Sequence, residues 1–282
     1  MPELPEVETV ARSLKPYLED RTITGFKAVW PKVVGNMSRP AFARAVTGRR
    51  IVSLTRRAKY LILNLDQGFV LYHLRMTGKL YPLPQAPRGN KHVSAWLELS
   101  DGQFLIFDDF RKFGRITYYP DAEALEEFSR RFGPEPLGRA FTADWLTDNL
   151  TTRNRMIKPL LLDQEFIAGL GNIYVDEALW ESRIHPLASS RDISKQKGKA
   201  LHAAIQMVLR ESIKANGTSF MDFKFLGGEK GGYTDNLRVF ARDGEGCNRC
   251  GREILKIRVA QRGTHYCPAC QKDPNQRGNK KS

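Results

Sequence analysis

The first part of the chain has the hydrophobic spacing of an amphipathic helix. One face of this predicted helix carries Val7, Val10 and Leu14. Pro5 is tolerated at a helix start, and Glu6 and Glu8 suit the positive end of the helix dipole. We expect the helix to fade near Pro16, since proline disrupts a helix interior.

Between about residues 23 and 119 the pattern changes to short segments rich in branched and aromatic residues, separated by Gly, Pro or Asp. The segments are IVSLT, YLILNL, FVLYHLRM, WLELS, FLIFDDF and RITYY. Such a series is typical of a β-sandwich or barrel. The stretch PLPQAPRGNK is predicted to be a loop between two of the strands.

Beyond a Pro- and Gly-rich linker at 133–139 the spacing becomes helical. Thr142 is a candidate N-cap, and Asn216-Gly217 is a stop signal for the longest helix. The helices predicted after the first cap cover about 156–162, 173–181 and 193–215. The sequence LGGEKGGYT then predicts a soft loop.

These patterns predict an α+β chain in which a β-sandwich precedes a helical region. The domains expected are an N-terminal β-sandwich domain at 1–133, a helical domain at 134–225, a loop and connector at 226–246, a cysteine ribbon at 247–271 and a polar tail at 272–282.

The charge of the chain favours a polyanionic partner. Its 282 residues carry a formal net charge of +14, with a sequence pI of about 9.7. A nucleic acid is the most common dense anionic ligand, although a membrane surface or a generally basic proteome would also fit. The chain has no apolar stretch of membrane-spanning length and an acidic start unlike a signal peptide, so we expect an intracellular protein.

All four cysteines lie near the C-terminus, in two pairs of C-x-x-C spacing that are separated by sixteen residues. The pairs are Cys247 with Cys250 and Cys267 with Cys270. The spacing predicts one structural zinc ion, and the alternative is two disulfides. Arg262, at the tip of the predicted ribbon, is a candidate DNA contact or a solvated surface side chain.

The opening PELPEVE has two prolines and three glutamates, which do not suit a hydrophobic core. The segment is better suited to a reaction at the amino terminus. Removal of Met1 before the small residue Pro2 would leave a secondary amine, which can attack an aldehyde-like carbon. Glu3 is adjacent and suited to acid–base work. An ordinary acidic helix cap is the alternative interpretation.

Several motifs, in order along nearly the whole chain, resemble those of the formamidopyrimidine-DNA glycosylases. They are PELPEVETV, RRAKYL, HLRMTG, FRKFG, GLGNIYVDEAL and the four-cysteine ribbon. The resemblance implies a β-sandwich, a helix–two-turns–helix domain and a zinc ribbon. It also implies excision of 8-oxoguanine and formamidopyrimidines from duplex DNA, followed by β,δ-elimination. Leu4 favours this branch over the endonuclease VIII type, in which glycine is usual there.

The resemblance also implies roles for individual residues near the start. Pro2 would be the nucleophile, Glu3 an acid at the sugar, and Lys59 a catalytic-site contact to phosphate, unless Lys59 is only a surface lysine. Glu6 belongs to the same motif and either takes part or orients the first turn.

Met76, Arg111 and Phe113 are expected to fill the gap left by a flipped base, with Arg111 facing the orphaned cytosine. Without the resemblance, Met76 and Phe113 would be assigned to a sheet core. HLRMTG has Arg75 where glycine is more common in the family.

Three further implications concern the second half. Asn172, after Gly169 and Gly171, would bind phosphate, act as an N-cap, or both. Lys158 would lie near the lesion, and Tyr233 would belong to the loop that closes over it. His73 and His92 are interpreted as structural or surface residues.

We therefore expect a monomeric bacterial cytoplasmic enzyme, associated with the nucleoid, that binds duplex DNA containing oxidised bases. Two alternatives stay open: an oxidised-pyrimidine glycosylase of the same family, and a zinc-ribbon protein that senses damage without cutting.

Overall fold

A computed structural model describes residues 1–218 and 231–273. Most of the predicted glycine-rich loop and of the polar tail therefore lies outside the described residues. The chain forms two compact units, of which the first contains Met1–Arg131 with Ala215–Gly232 and the second contains Phe132–Lys214 with Tyr233–Ser282. No helix in the described ranges is both long and apolar enough to span a membrane.

The first unit is built around two four-stranded antiparallel sheets, with strand orders β1-β6-β7-β5 and β2-β3-β4-β8. Its strands are β1 (Ile23–Ala28), β2 (Ile51–Arg57), β3 (Tyr60–Leu65), β4 (Phe69–His73), β5 (Gly78–Leu83), β6 (Val93–Leu99), β7 (Phe104–Asp109) and β8 (Arg115–Tyr119). Alternating apolar residues of both sheets share one buried core, which confirms the predicted sandwich.

Helix α1 (Leu4–Leu18) packs its apolar face into the same core. The helix ends near Pro16, as predicted, although it runs through Pro16 to a fully buried Leu18. Burial of the last turn compensates for the one backbone hydrogen bond that proline cannot donate. Two short helices were not predicted, α2 (Arg39–Val46) and α3 (Ala122–Ser129).

The second unit contains α4 (Ala143–Thr151), α5 (Ile157–Leu162), α6 (Asn172–Glu181), α7 (Lys195–Lys214) and the hairpin of β9 (Leu255–Val259) and β10 (Arg262–Tyr266). Thr142 caps α4 as predicted, since its side chain accepts a hydrogen bond from the Trp145 amide at 3.0 Å. The predicted stop after α7 is also confirmed, because Asn216 and Gly217 adopt left-handed backbone angles.

Candidate functional site

The start of the chain is held by one buried carboxylate. Pro2 and Glu3 are buried, whereas Met1 is 45% exposed. The Glu3 amide donates to Glu6 Oε2 at 2.9 Å, and Glu6 Oε1 accepts from the Thr218 amide at 2.8 Å and from its hydroxyl at 3.0 Å. Glu6 thus orients the first turn of α1 and ties it to the segment that follows α7.

A cationic cluster lies at the neighbouring ends of β2, β3 and β4. Lys59 is 7% exposed and occupies the tight β2–β3 turn, where Ala58 has a φ of 52°. Burial and the nearby charges of Arg75 and Lys59 lower the pKa of His73 to about 3. The Arg75 amide donates a hydrogen bond to Nδ1 of His73 at 3.0 Å. Nδ1 can accept this bond only when it carries no proton, so the contact fits a neutral His73 ring. This concentration of positive charge suits a phosphate.

Met76, Arg111 and Phe113 meet at two adjacent turns of the first unit. Nη1 of Arg111 lies 3.0 Å from the Met76 sulfur, and its guanidinium lies 4.7 Å from the centre of the Phe113 ring. Met76 is 43% exposed and Phe113 is 48% exposed, so these side chains present an apolar surface around a cation rather than filling the sheet core. Arg75 has a φ of 54°, a left-handed conformation that glycine adopts without strain.

Asp109 holds the turn that carries Arg111. It is 1% exposed and accepts hydrogen bonds from the amides of Arg111, at 3.2 Å, and Gly114, at 2.6 Å, as well as from the Thr77 hydroxyl. A Cβ atom at Gly114 would lie 2.4 Å from the Phe107 ring, which accounts for the glycine that ends FRKFG. The exposed side chains therefore stand on a rigid backbone.

In the second unit the start of α6 meets the tip of the β9–β10 ribbon. Asn172 is the first residue of α6 and Gly171 is its N-cap, so the alternative assignment of Asn172 as the cap is wrong. Asn172 Nδ2 donates to the carbonyl of Gly263 at 2.9 Å. Arg262 precedes that glycine and is exposed. An amide and a guanidinium are thus presented from adjacent points.

The four cysteines form one cluster in which all the sulfur atoms lie within 4.8 Å of one another. The Cys250–Cys267 and Cys247–Cys270 sulfur distances are 3.4 and 4.0 Å, and no disulfide is formed. A tetrahedral zinc ion with Zn–S bonds of about 2.3 Å needs sulfur atoms about 3.8 Å apart. The cluster therefore fits one structural zinc ion, and the disulfide alternative is wrong.

The protein surroundings favour a thiolate at Cys247. Burial raises the pKa of Cys247, but hydrogen bonds from the Arg249 amide and the Trp180 indole lower it to about 6. Arg249 in turn lies 3.9 Å from the Trp180 ring centre, so α6 and the ribbon share one packed layer.

Comparison with known proteins identifies the family. Models of the formamidopyrimidine-DNA glycosylase N-terminal domain, of its H2TH domain and of a zinc finger found in FPG and IleRS match residues 1–116, 132–224 and 244–272. The chain belongs to the formamidopyrimidine-DNA glycosylase family. The glycosylases of the bacteria Chloroflexus aggregans and Herpetosiphon aurantiacus are 47% and 43% identical to it, over 96% of this chain and 98% and 100% of theirs.

Solved structures of family members have the same fold as this chain over nearly its whole length. A mutant Lactococcus lactis FPG in complex with Fapy-dG-containing DNA has a TM-score of 0.90. MutM in complex with carbocyclic 8-oxo-G-containing DNA has a TM-score of 0.89. Each is 38% identical to this glycosylase and covers 96% of its chain and 100% of the solved chain.

Two residues expected to contact DNA are buried in this glycosylase. Lys158 is 0% exposed and forms an ion pair with Asp176. Tyr233 is also 0% exposed and lies in a short 3₁₀ helix, where Arg238 donates to its hydroxyl at 3.2 Å and Tyr174 packs against its ring. Burial raises the pKa of Tyr233. Both side chains thus pack within the second unit in this structure, and their expected contacts with the lesion stay predictions.

The residues that the sequence analysis missed are mainly the buried acids that hold the exposed groups. Besides Asp109 and Asp176, Glu177 accepts three backbone N–H groups, those of Arg238, Val239 and Phe240, each at 2.9 Å. Burial raises the pKa of Glu177, and these N–H donors oppose that effect. The signal in the sequence was an Asp-Glu pair inside the apolar helix GLGNIYVDEAL.

Proposed function

We propose that this glycosylase excises oxidised purines, 8-oxoguanine and formamidopyrimidines, from duplex DNA and then cleaves the strand as a lyase. The observation that carries the proposal is the buried Pro2–Glu3 terminus, oriented by Glu6 and preceded by an exposed Met1. Since Met1 is exposed, an aminopeptidase can reach it, and its removal frees the Pro2 amine.

The chemistry follows from a secondary amine beside a carboxyl group. The Pro2 nitrogen attacks C1′ of the damaged nucleotide as the bond from C1′ to the base breaks, and the base leaves with the proton of the amine. Glu3 then acts as an acid that protonates O4′ of the sugar, so that the C1′–O4′ bond breaks and the ring opens to an iminium between C1′ and Pro2. The resulting iminium makes the C2′ proton acidic. Loss of that proton allows the 3′ and then the 5′ phosphate to leave, which completes β,δ-elimination.

The remaining proposed roles are in DNA binding. Lys59 binds phosphate beside the lesion, while Asn172 and Arg262 bind phosphates through the second unit. Met76 and Phe113 enter the gap left by the flipped nucleotide, and Arg111 faces the orphaned cytosine. We place the monomeric enzyme in the bacterial cytoplasm, at the nucleoid.

Borohydride trapping tests this proposal. The full-length protein is incubated with a duplex carrying 8-oxoguanine opposite cytosine, reduced, and mapped by mass spectrometry. We expect an adduct at Pro2, and none with an undamaged duplex or with a variant in which Met1 is retained. An adduct only with an oxidised pyrimidine would overturn the substrate assignment, and no adduct with any lesion despite a free Pro2 would overturn the enzymatic one.

A further inference from the structure

A fully buried ion pair lies directly beneath the ribbon tip. Lys158 of α5 and Asp176 of α6 are each 0% exposed, and their Nζ and Oδ1 atoms are 2.6 Å apart. Lys158 also donates to the carbonyl oxygen of Gly263 at 3.1 Å. The second oxygen of Asp176 accepts from the amide of His265 at 2.9 Å.

These two backbone groups belong to one edge of β10. Residues two apart in a strand point their N–H and C=O groups to the same side, and the other edge of β10 pairs with β9. The ion pair therefore occupies the place of a neighbouring strand. The Lys158 ammonium donates to the Gly263 carbonyl, and the Asp176 carboxylate accepts from the His265 N–H. Apolar side chains of the same size could fill the space but could not make these hydrogen bonds.

The docked edge of β10 fixes two groups of this region, the half-buried Asn172 and the exposed Arg262. The Gly263 carbonyl accepts from Lys158 and from Asn172 Nδ2, which occupies both of its lone pairs and fixes the orientation of the Asn172 amide. Arg262 immediately precedes this carbonyl. Any shift of β10 therefore moves Arg262 and releases Asn172 together.

We propose that Lys158 and Asp176 are positioning residues for DNA binding: the ion pair docks the free edge of β10 and so sets Arg262 and Asn172 for phosphate. The proposal rests on the proposed function. It replaces the expected lesion contact of Lys158 with an indirect role.

The test is a mutational cycle with a duplex containing a tetrahydrofuran abasic analogue, which binds without being cleaved. The Lys158→Met/Asp176→Leu variant removes both charges and leaves no buried ion unpaired. We expect this variant and Arg262→Ala each to weaken binding about tenfold, and the combined variant to be within about twofold of the weaker one. The exposed pair Lys199–Asp144, changed in the same way, is the matched control and should leave affinity unchanged.

Readouts other than affinity separate positioning from general damage. The paired variant should keep its zinc content and unfold in one cooperative transition, at a lower melting temperature because the His265 amide loses its acceptor, while amide hydrogen exchange speeds up at 262–266. If the variant does not fold, Lys158→Met/Asp176→Asn, which removes both charges but keeps an acceptor for the His265 amide, is measured in the same cycle. At saturating 8-oxoguanine duplex kcat should be unchanged, with the loss in KM.

Two results would overturn the proposal. The first is a combined variant whose loss is the product of the two single losses, about 100-fold, since that would mean independent contacts. The second is unaltered binding by the paired variant. Failure of the proposed function is a different result, because the wild-type protein would then form no borohydride adduct.

Discussion

Two turns of this glycosylase present the exposed groups assigned to DNA, and they are supported in different ways. The turn at 110–114 in the first unit has left-handed backbone at Lys112, with φ 57°. The ribbon tip at 260–263 in the second unit has it at Ala260 and Gln261, with φ 44° and 63°. Both turns therefore bear strain that surrounding contacts must offset.

The sources of those contacts differ. Asp109, which organises the first turn, is a neighbour of the turn in the sequence and also accepts from Thr77 in the adjacent turn. The ribbon tip is held by Lys158 and Asp176, which are 105 and 89 residues from their partners in β10. The first turn thus carries its own support, whereas the second depends on docking of the ribbon against α5 and α6.

Zinc removal should produce the largest difference between the two turns. Structural zinc contributes on the order of 10 kcal/mol to folding of such modules, so a chelator should unfold the ribbon and undock β10. We expect DNA affinity to fall by more than about 100-fold, as loss of several phosphate contacts requires. Hydrogen exchange should accelerate at 255–266 and stay unchanged at 110–114. Equal acceleration at both turns would contradict the comparison.

The Asp109→Asn substitution should destabilise the turn at 110–114 and leave the ribbon tip unchanged. The side-chain NH₂ of asparagine would face one of the backbone N–H groups that now donate to the Asp109 carboxylate. Two donors would then point at each other, which should lower the unfolding free energy by about 2–4 kcal/mol. Urea unfolding measures this, and exchange at 262–266 should not change. Asp108→Asn is the control, because Asp108 accepts only from side chains, those of Tyr81 and Asn90, among the described contacts, and should cost less than about 1 kcal/mol.

The same contrast explains what the sequence could predict. The cysteine pairs, Arg111, the helix start at Pro5 and the cap at Thr142 depend on spacing or neighbouring residues, and patterns of that kind are visible in the chain. The docking of Lys158 and Asp176 depends on two helices that contact a strand far along the chain, where His265 lies 89 residues beyond Asp176. A buried lysine cannot be distinguished from a DNA-binding one by its neighbours alone, and the same holds for Tyr233.

Lowering the pH should reduce the stability of both units, because each contains a buried histidine with a lowered pKa. The pKa of His73, about 3, lies below its unfolded value of about 6.5, so the unfolded state binds the proton first. Stability should therefore fall as the pH drops from about 6.5 toward 3, and less steeply in His73→Asn. Burial also lowers the pKa of His185 in the second unit, so His185→Asn should show the same sign of effect. Identical curves for wild type and His73→Asn would contradict this assignment.

Arg75→Gly should change the unfolding free energy the least, and it should raise that free energy where the other substitutions lower it. Arg75 is exposed and has a φ of 54°, which glycine adopts without strain. Relief of that strain, partly offset by the greater freedom of glycine in the unfolded chain, should raise the unfolding free energy by up to about 1 kcal/mol.

Lys112→Gly is the matched comparison for Arg75→Gly. Lys112 has a similar φ of 57°, but its ammonium donates to the carbonyls of His92 and Val93 at 2.7 and 2.9 Å. Loss of these bonds should outweigh the relief of strain, so this variant should be less stable than wild type. Urea unfolding of both variants decides the point. If both substitutions stabilise the protein, the turn at 110–114 is not supported by its own contacts, and the difference drawn between it and the ribbon tip is wrong.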